Sequence, residues 1–117
     1  MTENEPQKLG AILLAAGGST RFGRPKQLAE LHGETLLRRA ARMLAESVFD
    51  PVAVVIGEDA QELEVKELAV TCIVNRHRLA GMSTSLRAGL DRLLELEPDL
   101  DGVLIALCDQ PAITTTA

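Results

Sequence analysis

The sequence predicts an α/β fold, a three-layer α/β/α arrangement around a mostly parallel sheet, on three observations. Four short stretches, residues 9–15, 52–57, 70–75 and 102–108, are almost continuously apolar, as expected of strands covered on both faces. The segments between them carry helical periodicity. Strands that alternate with helices imply β-α-β crossovers of one hand, and therefore parallel neighbours.

Taken in chain order, residues 1–8 are polar and read as a flexible tail ahead of a single domain at 9–117. The first strand follows, and after it a loop rich in glycine and cations. Leu36, Leu37, Ala40, Ala41 and Leu44 then fall on one stripe, with Arg38, Arg39 and Arg42 largely away from it, which predicts a first amphipathic helix. A second helix is expected from Asp59, whose spacing to Glu62 suits a capping arrangement, to about Leu68. A third should start near Ser83, bury Leu86, Leu90, Leu93 and Leu94, and end before Pro98.

Composition excludes several classes of function. A chain of 117 residues has the size of one small domain able to bury its own core. Phe22 and Phe49 are the only aromatic residues, which argues against base-stacking nucleic-acid platforms, and the formal net charge of −5 argues against general DNA or RNA binding. The apolar run 9–16 is far too short to span a membrane, and no charged-then-apolar signal segment precedes it, so a cytoplasmic protein is expected. Cys72 and Cys108 lack the C-x-x-C spacing of a metal or redox pair and read as buried structural thiols. His32 and His77 lack any ligand spacing and read as surface or packing residues.

Against this acidic background, residues 17–26 carry Arg21, Arg24 and Lys26 and no acid. Such local focusing marks an anionic ligand. Gly17 and Gly18 let main-chain N–H groups turn toward an anion without side-chain obstruction, in the manner of a phosphate loop. Two common phosphate motifs fail here on spacing. Gly18 and Gly23 have the separation of the P-loop glycines, but Arg24 and Pro25 stand where Lys and Ser or Thr belong. No G-x-G-x-x-G is present, and Pro25 would interrupt the helix such a loop must open. Ser19 suits either a phosphate contact or a bond to its own backbone.

In open parallel sheets, ligands bind beyond the carboxyl ends of the strands. That rule gathers three segments: the glycine loop after the first strand, NRHRLAGMSTS (residues 75–85) after the third, and CDQP (residues 108–111) after the fourth. Gly81 permits close backbone approach, and Ser83 with the following N–H groups would form a helix start that attracts polar or anionic atoms. Met82 reads as core filling as readily as pocket wall. Asp109 follows the apolar run GVLIALC directly, so its carboxylate should project at the sheet edge, where it is the natural ligand for magnesium. The plainer reading is a turn formed with Gln110 and Pro111.

LAAGGSTRFGRPKQL, residues 14–28, resembles the signature of nucleotidyltransferases of the molybdenum-cofactor type, L-A-[AG]-G-x-S-x-R-[MF]-G-x-x-K, with every fixed position filled. The chain thus looks like a MobA-like NTP transferase with a Rossmann-like nucleotidyltransferase fold. ALCDQP, residues 106–111, matches a setting in which the aspartate holds the metal, and GMSTSLRAGL, residues 81–90, resembles a motif of the cytidylyltransferase branch that shapes the base and ribose pocket. Arg76 departs from the proline frequent at that position, which bears on the acceptor side.

The resemblance implies Mg²⁺-dependent transfer of CMP from CTP to a molybdopterin-type cofactor, with release of pyrophosphate and with a client molybdoenzyme as a further partner. It assigns Arg21, Lys26 and Asp109 to catalysis, Asp109 to the metal, and Leu14, Ala15, Ala16, Gly17, Gly18, Ser19, Arg21, Lys26, Gly81 and Ser83 to substrate. LAAG at residues 14–17 matches the cytidylyl branch, where guanylyl members tend to read LAGG. Family members continue past the D-Q-P strand with a second metal ligand and much of the acceptor pocket, so the domain is expected to be incomplete, truncated at its C-terminus. Two other readings stay open: a catalytically silent nucleotide-binding fragment, or a related guanylyl- or sugar/alcohol-phosphate nucleotidyltransferase.

Overall fold

The computed structural model describes residues 7–15, 20–21, 24–25, 30–31, 34–57, 59–75 and 81–107. Its centre is a four-stranded parallel sheet of β1 (Leu9–Ala15), β6 (Val52–Ile56), β7 (Thr71–Val74) and β8 (Gly102–Leu107) in the order β7-β6-β1-β8. Between β1 and helix α1 (Leu36–Ala45) lie two minimal antiparallel hairpins, β2 (Thr20–Arg21) with β3 (Arg24–Pro25) and β4 (Glu30–Leu31) with β5 (Glu34–Thr35). Helix α2 (Met82–Leu96) connects β7 to β8.

The apolar runs of the two central strands hold because successive residues enter cores on opposite sides. Ala11, Leu13 and Ala15 of β1 join Val52, Val54 and Ile56 of β6 in one core with Leu37, Ala40, Ala41 and Leu44 of α1. Ile12 and Leu14, with Ala53 and Val55, enter a second core on the opposite face, where Leu93, Leu86 and Leu90 of α2 close it. The three layers follow from this two-sided burial. The chain moves outward from β1 through α1 to β6 and on to β7, then recrosses by α2 on the other face to reach β8. Reversing both direction and face keeps the crossovers of one hand.

Four details differ from the sequence expectation. The segment from Asp59 forms a 3₁₀ helix only to Glu64 and then turns, with three-residue bonds from the Val65 N–H to the Glu62 carbonyl and from the Leu68 N–H to the Val65 carbonyl. Two buried anchors, Gln61 and Val65, fix this short crossing and override its helical pattern. Leu94 stays 43% exposed, because the buried stripe of α2 runs through Ser85, Gly89 and Leu93 and leaves Leu94 about 100° around the helix. Helix α2 starts at Met82 with Gly81 as its cap residue, no side-chain bond caps it, and Ser83 is an exposed first-turn residue. Two-sided cover is complete for β1 and β6 only: β7 and β8 are the outer strands of the sheet, partly exposed, with Ile105 at 50%.

Lys8 borders the start of β8: its N–H donates to Asp101 Oδ2 at 2.8 Å, and the Asp101 N–H donates to its carbonyl at 2.7 Å.

Gly89 sets how closely α2 lies on the sheet. A Cβ there would stand 2.8 Å from Ile12 Cγ2 and 3.2 Å from Val55 Cγ2, both side chains locked in the core. Gly89→Ala should therefore destabilise the protein by about 1–3 kcal/mol, the usual cost of overpacking, despite alanine's better helix propensity. Urea unfolding checks this; an unchanged or raised midpoint would show that the helix can lift without loss.

Candidate functional site

The strands from which the glycine-rich, GMSTS and CDQP segments continue all end on the carboxyl edge of the sheet. In register, Leu14 pairs with Leu107, Ala15 with Ile56, and Ile56 with Val74, so the four strands end on one edge. β1 lies between β6 and β8, and the chain reverses its direction of travel across the sheet there. A doubly wound sheet opens a crevice at that point.

Leu14 and Ala15 are the last residues of β1, with side chains committed to opposite cores, so what they present at the edge is main chain. Arg21 and Arg24 are paired in the register of the β2-β3 hairpin. Gly81 and Ser83 stand at the start of α2, with Met82, 61% exposed, between them and not in the core. Ala16, Gly17, Gly18, Ser19, Lys26 and Asp109 lie outside the described residues, as do Cys108, His32, His77 and Arg76.

The β5 strand is held to α1 by its side chains. Glu34 of β5 accepts two bonds from Arg42, at 2.9 Å from Nε and 2.9 Å from Nη2, the bidentate geometry that makes such pairs strong. This hydrogen-bonded guanidinium holds the Glu34 carboxyl below the usual carboxylate range, and the carboxylate in turn raises the Arg42 guanidinium. Thr35 caps α1 by accepting from the Arg38 N–H at 3.1 Å, and its hydroxyl donates to Glu64 Oε1 at 2.7 Å. Arg38 Nη1 donates to the Glu64 carbonyl at 2.9 Å, which fastens the same corner to the 3₁₀ segment.

The β7-α2 corner contains residues that sequence reasoning left out of the site. Asn75, just past β7 and buried, donates from Nδ2 to Thr84 Oγ1 at 2.9 Å and to Ser85 Oγ at 2.8 Å. Thr84 Oγ1 donates to the Gly81 carbonyl at 2.8 Å, and the Thr84 N–H reaches the same oxygen at 3.2 Å. Gly81 has φ of 122°, a conformation that L side chains rarely adopt. The available signal was an amide residue ending an apolar strand at the ligand-binding edge, nine and ten residues before two hydroxyls. Gln61 went unnoticed as well: its Oε1 accepts from the buried Gly57 N–H at 3.0 Å and closes the turn after β6.

Among the described residues no group of three or more His, Cys, Asp or Glu is placed to hold a metal ion. Cys72 borders a surface cavity of about 440 Å³ beside Glu62, Val65, Lys66 and Val70, and desolvation raises its thiol to about 11, so it is a neutral, weakly reactive group at physiological pH. Among the described residues no helix is long and apolar enough to cross a membrane.

Fold and edge together define a doubly wound α/β domain, and the comparisons place it among nucleotidyltransferases. Residues 11–117 match the family of the MobA-like NTP transferase domain, and the chain belongs to that family. It is 37% identical over 90 residues to a "Probable molybdenum cofactor guanylyltransferase" from Opitutus terrae, a match covering 75% of this chain and 44% of the relative. A nucleotidyl transferase from Methanothermobacter thermautotroptrophicus (Mth528) superposes with a TM-score of 0.68 at 26% identity over 93% of this chain and 54% of that one. Rv0371C from Mycobacterium tuberculosis H37Rv, solved in complex with manganese, superposes with a TM-score of 0.62 at 25% identity over 92% and 54%. The chain thus spans about half the length of the proteins it resembles.

The Glu34–Arg42 pair gives the corner an acid-sensitive anchor. A carboxyl lowered by folding contributes stability that is present above its unfolded value, near 4.5, and is lost as pH falls through the lower folded value. Glu34→Gln should therefore melt below wild type at pH 7, and the two melting temperatures should converge below pH 4.5. Thermal melts across pH 3–7 test this; a gap that persists unchanged into acid would assign the effect to something other than the charge.

Proposed function

We propose that the chain forms the nucleotide-binding part of an enzyme that transfers CMP from CTP to a phosphate of a molybdopterin-type cofactor, for delivery to a client molybdoenzyme. One observation carries the reading: the sheet order β7-β6-β1-β8 puts the ends of β1, β7 and β8 on a single edge, and the glycine loop, the GMSTS turn and the CDQP segment each leave from it. Family membership supports nucleoside triphosphate as substrate class.

In this reading, an oxygen of the acceptor phosphate forms a bond to the α-phosphorus of CTP as the bond from that phosphorus to the β-phosphate's bridging oxygen breaks, and the electron pair leaves with pyrophosphate. The protein's contribution is positioning and charge. Backbone N–H groups from Leu14 through Ser19 cradle the triphosphate, and Arg21 and Lys26 neutralise charge developing on the leaving group. Arg21, Arg24 and Lys26 follow one another in the sequence with no acid between them, a pattern that suits an anionic ligand. Gly81 and Ser83 border the base and ribose. Asp109 is a hard oxygen donor that suits Mg²⁺ with water and triphosphate as its remaining ligands. Bound there, the ion would supply further neutralisation of the phosphate oxygens.

LAAG and GMSTSL support cytosine as the base, whereas the likeness to a guanylyltransferase supports GTP as a second reading. Calorimetric titration with each nucleotide in the presence of magnesium separates them. Tighter binding of CTP is expected, and equal or tighter binding of GTP would overturn the cytidylyl assignment while leaving the family intact.

Asp109→Ala should abolish the magnesium-dependent part of nucleotide affinity and leave the metal-free part, because water and phosphate alone would then remain to hold the ion. Titrations with and without magnesium measure both parts. Full magnesium dependence in the variant would place the metal on another residue.

A further inference from the structure

We propose that Asn75 is a positioning residue for the nucleotide, acting through a hydrogen-bonded relay, Asn75 amide to Thr84 hydroxyl to Gly81 carbonyl, that fixes the first turn of α2 against the end of β7. The inference rests on the reading that this turn borders the base and ribose, and it names a residue to which neither the motif nor the family match assigns a role.

The direction of the relay follows from the donors. The Asn75 amide nitrogen can only donate, so Thr84 Oγ1, at 2.9 Å, must accept from it. A hydroxyl whose lone pair is occupied in this way turns its proton elsewhere, and the Gly81 carbonyl waits at 2.8 Å. The second amide proton goes to Ser85 Oγ at 2.8 Å. Bonds polarised in series strengthen one another, and Asn75 and Ser85 are buried, so water competes poorly for any of them.

The turn needs this support. Gly81 sits at φ of 122°, no side chain caps α2, and Met82 and Ser83 are exposed, so packing holds little of the segment between Gly81 and Thr84. Crowding does not explain the glycine, since among the described residues a Cβ at Gly81 would meet nothing nearer than Ser83 Oγ at 3.9 Å. The unusual backbone angle is what the relay stabilises. Strand β7 supplies the fixed point: the Asn75 N–H donates to the Ile56 carbonyl at 2.8 Å and continues the sheet ladder to the edge. Asn75 therefore links the sheet to the first turn of α2.

The test is calorimetric affinity of the whole chain for magnesium-CTP, and for magnesium-GTP in parallel, alongside thermal melts. Asn75→Ala breaks the relay at its source, and Thr84→Val breaks it in the middle with shape retained. Each should weaken binding of the preferred nucleotide by about tenfold, as expected for loss of an ordered buried hydrogen bond, whereas Thr84→Ser should stay within about twofold. Val54→Ala, which thins the core on the opposite face of the sheet, should lower the melting temperature and leave affinity unchanged. Wild-type affinity in folded Asn75→Ala or Thr84→Val, or an equal loss in Val54→Ala, would overturn the positioning role and leave the nucleotide reading standing. If the wild-type chain takes up neither nucleotide, that reading fails, and Asn75 has no ligand to position.

Discussion

The burial of β1 on both faces and along both edges is the constraint on which the rest of the structure depends. Its hydrogen-bonding groups are shared between β6 and β8, and its side chains divide between two separate cores. A strand so placed cannot shift by one residue without exchanging Ile12 and Leu14 for Leu13 and Ala15 across the sheet. The position of Ala15, and hence the point at which the glycine loop departs, is therefore fixed by the core. Because β1 is also where the sheet order reverses, a strand buried on both faces ends at the edge where the proposed site lies.

From this fixed edge the less regular parts take their geometry by tethering. The two hairpins after β1 have strands of two residues each, too short to be stable alone. They run between the end of β1 and the start of α1, where Glu34 is clamped by Arg42 and Thr35 is tied to both Arg38 and Glu64. On the other face, Gly89 lets α2 settle against Ile12 and Val55, and Asn75 then draws its first turn toward the sheet edge. The β4-β5 hairpin and the glycine-led turn are thus both referred to the same sheet.

Much of this was legible in the sequence. The four strands, the stripe of α1 and the alternation that makes the sheet parallel rest on apolar burial, which the order of residues records directly. The losses share a cause, the dependence of local structure on distant partners. Helical spacing from Asp59 gave no sign that Gln61 would bond Gly57 and hold the segment as a 3₁₀ turn. Leu94 lies one position from Leu93 and is equally apolar, so only the seat of Gly89 on the sheet decides between them. Ser83 has the composition of a cap, yet Gly81 takes that place because Thr84 turns back onto its carbonyl. The glycine and charge pattern points to segments that lie mostly outside the described residues, whereas the Asn75 relay spans ten residues and needs the strand and helix in place before it exists.

The distribution of charge ties the fold to its proposed ligand. Along α1 and α2, cations find acids close by: Arg42 with Glu34 and Glu46, Arg38 with Glu67, Arg87 with Asp91 and Arg92 with Glu95. Apart from the bidentate Glu34–Arg42 pair these are surface contacts of small individual worth, and Arg39 is the exception, its Nε buried without a partner among the described residues. Residues 17–26 break that rule, with three cations and no acid in the segment, in a chain whose formal net charge is −5. In the proposed reading, a triphosphate at the carboxyl edge supplies the opposite charge that this stretch of sequence lacks.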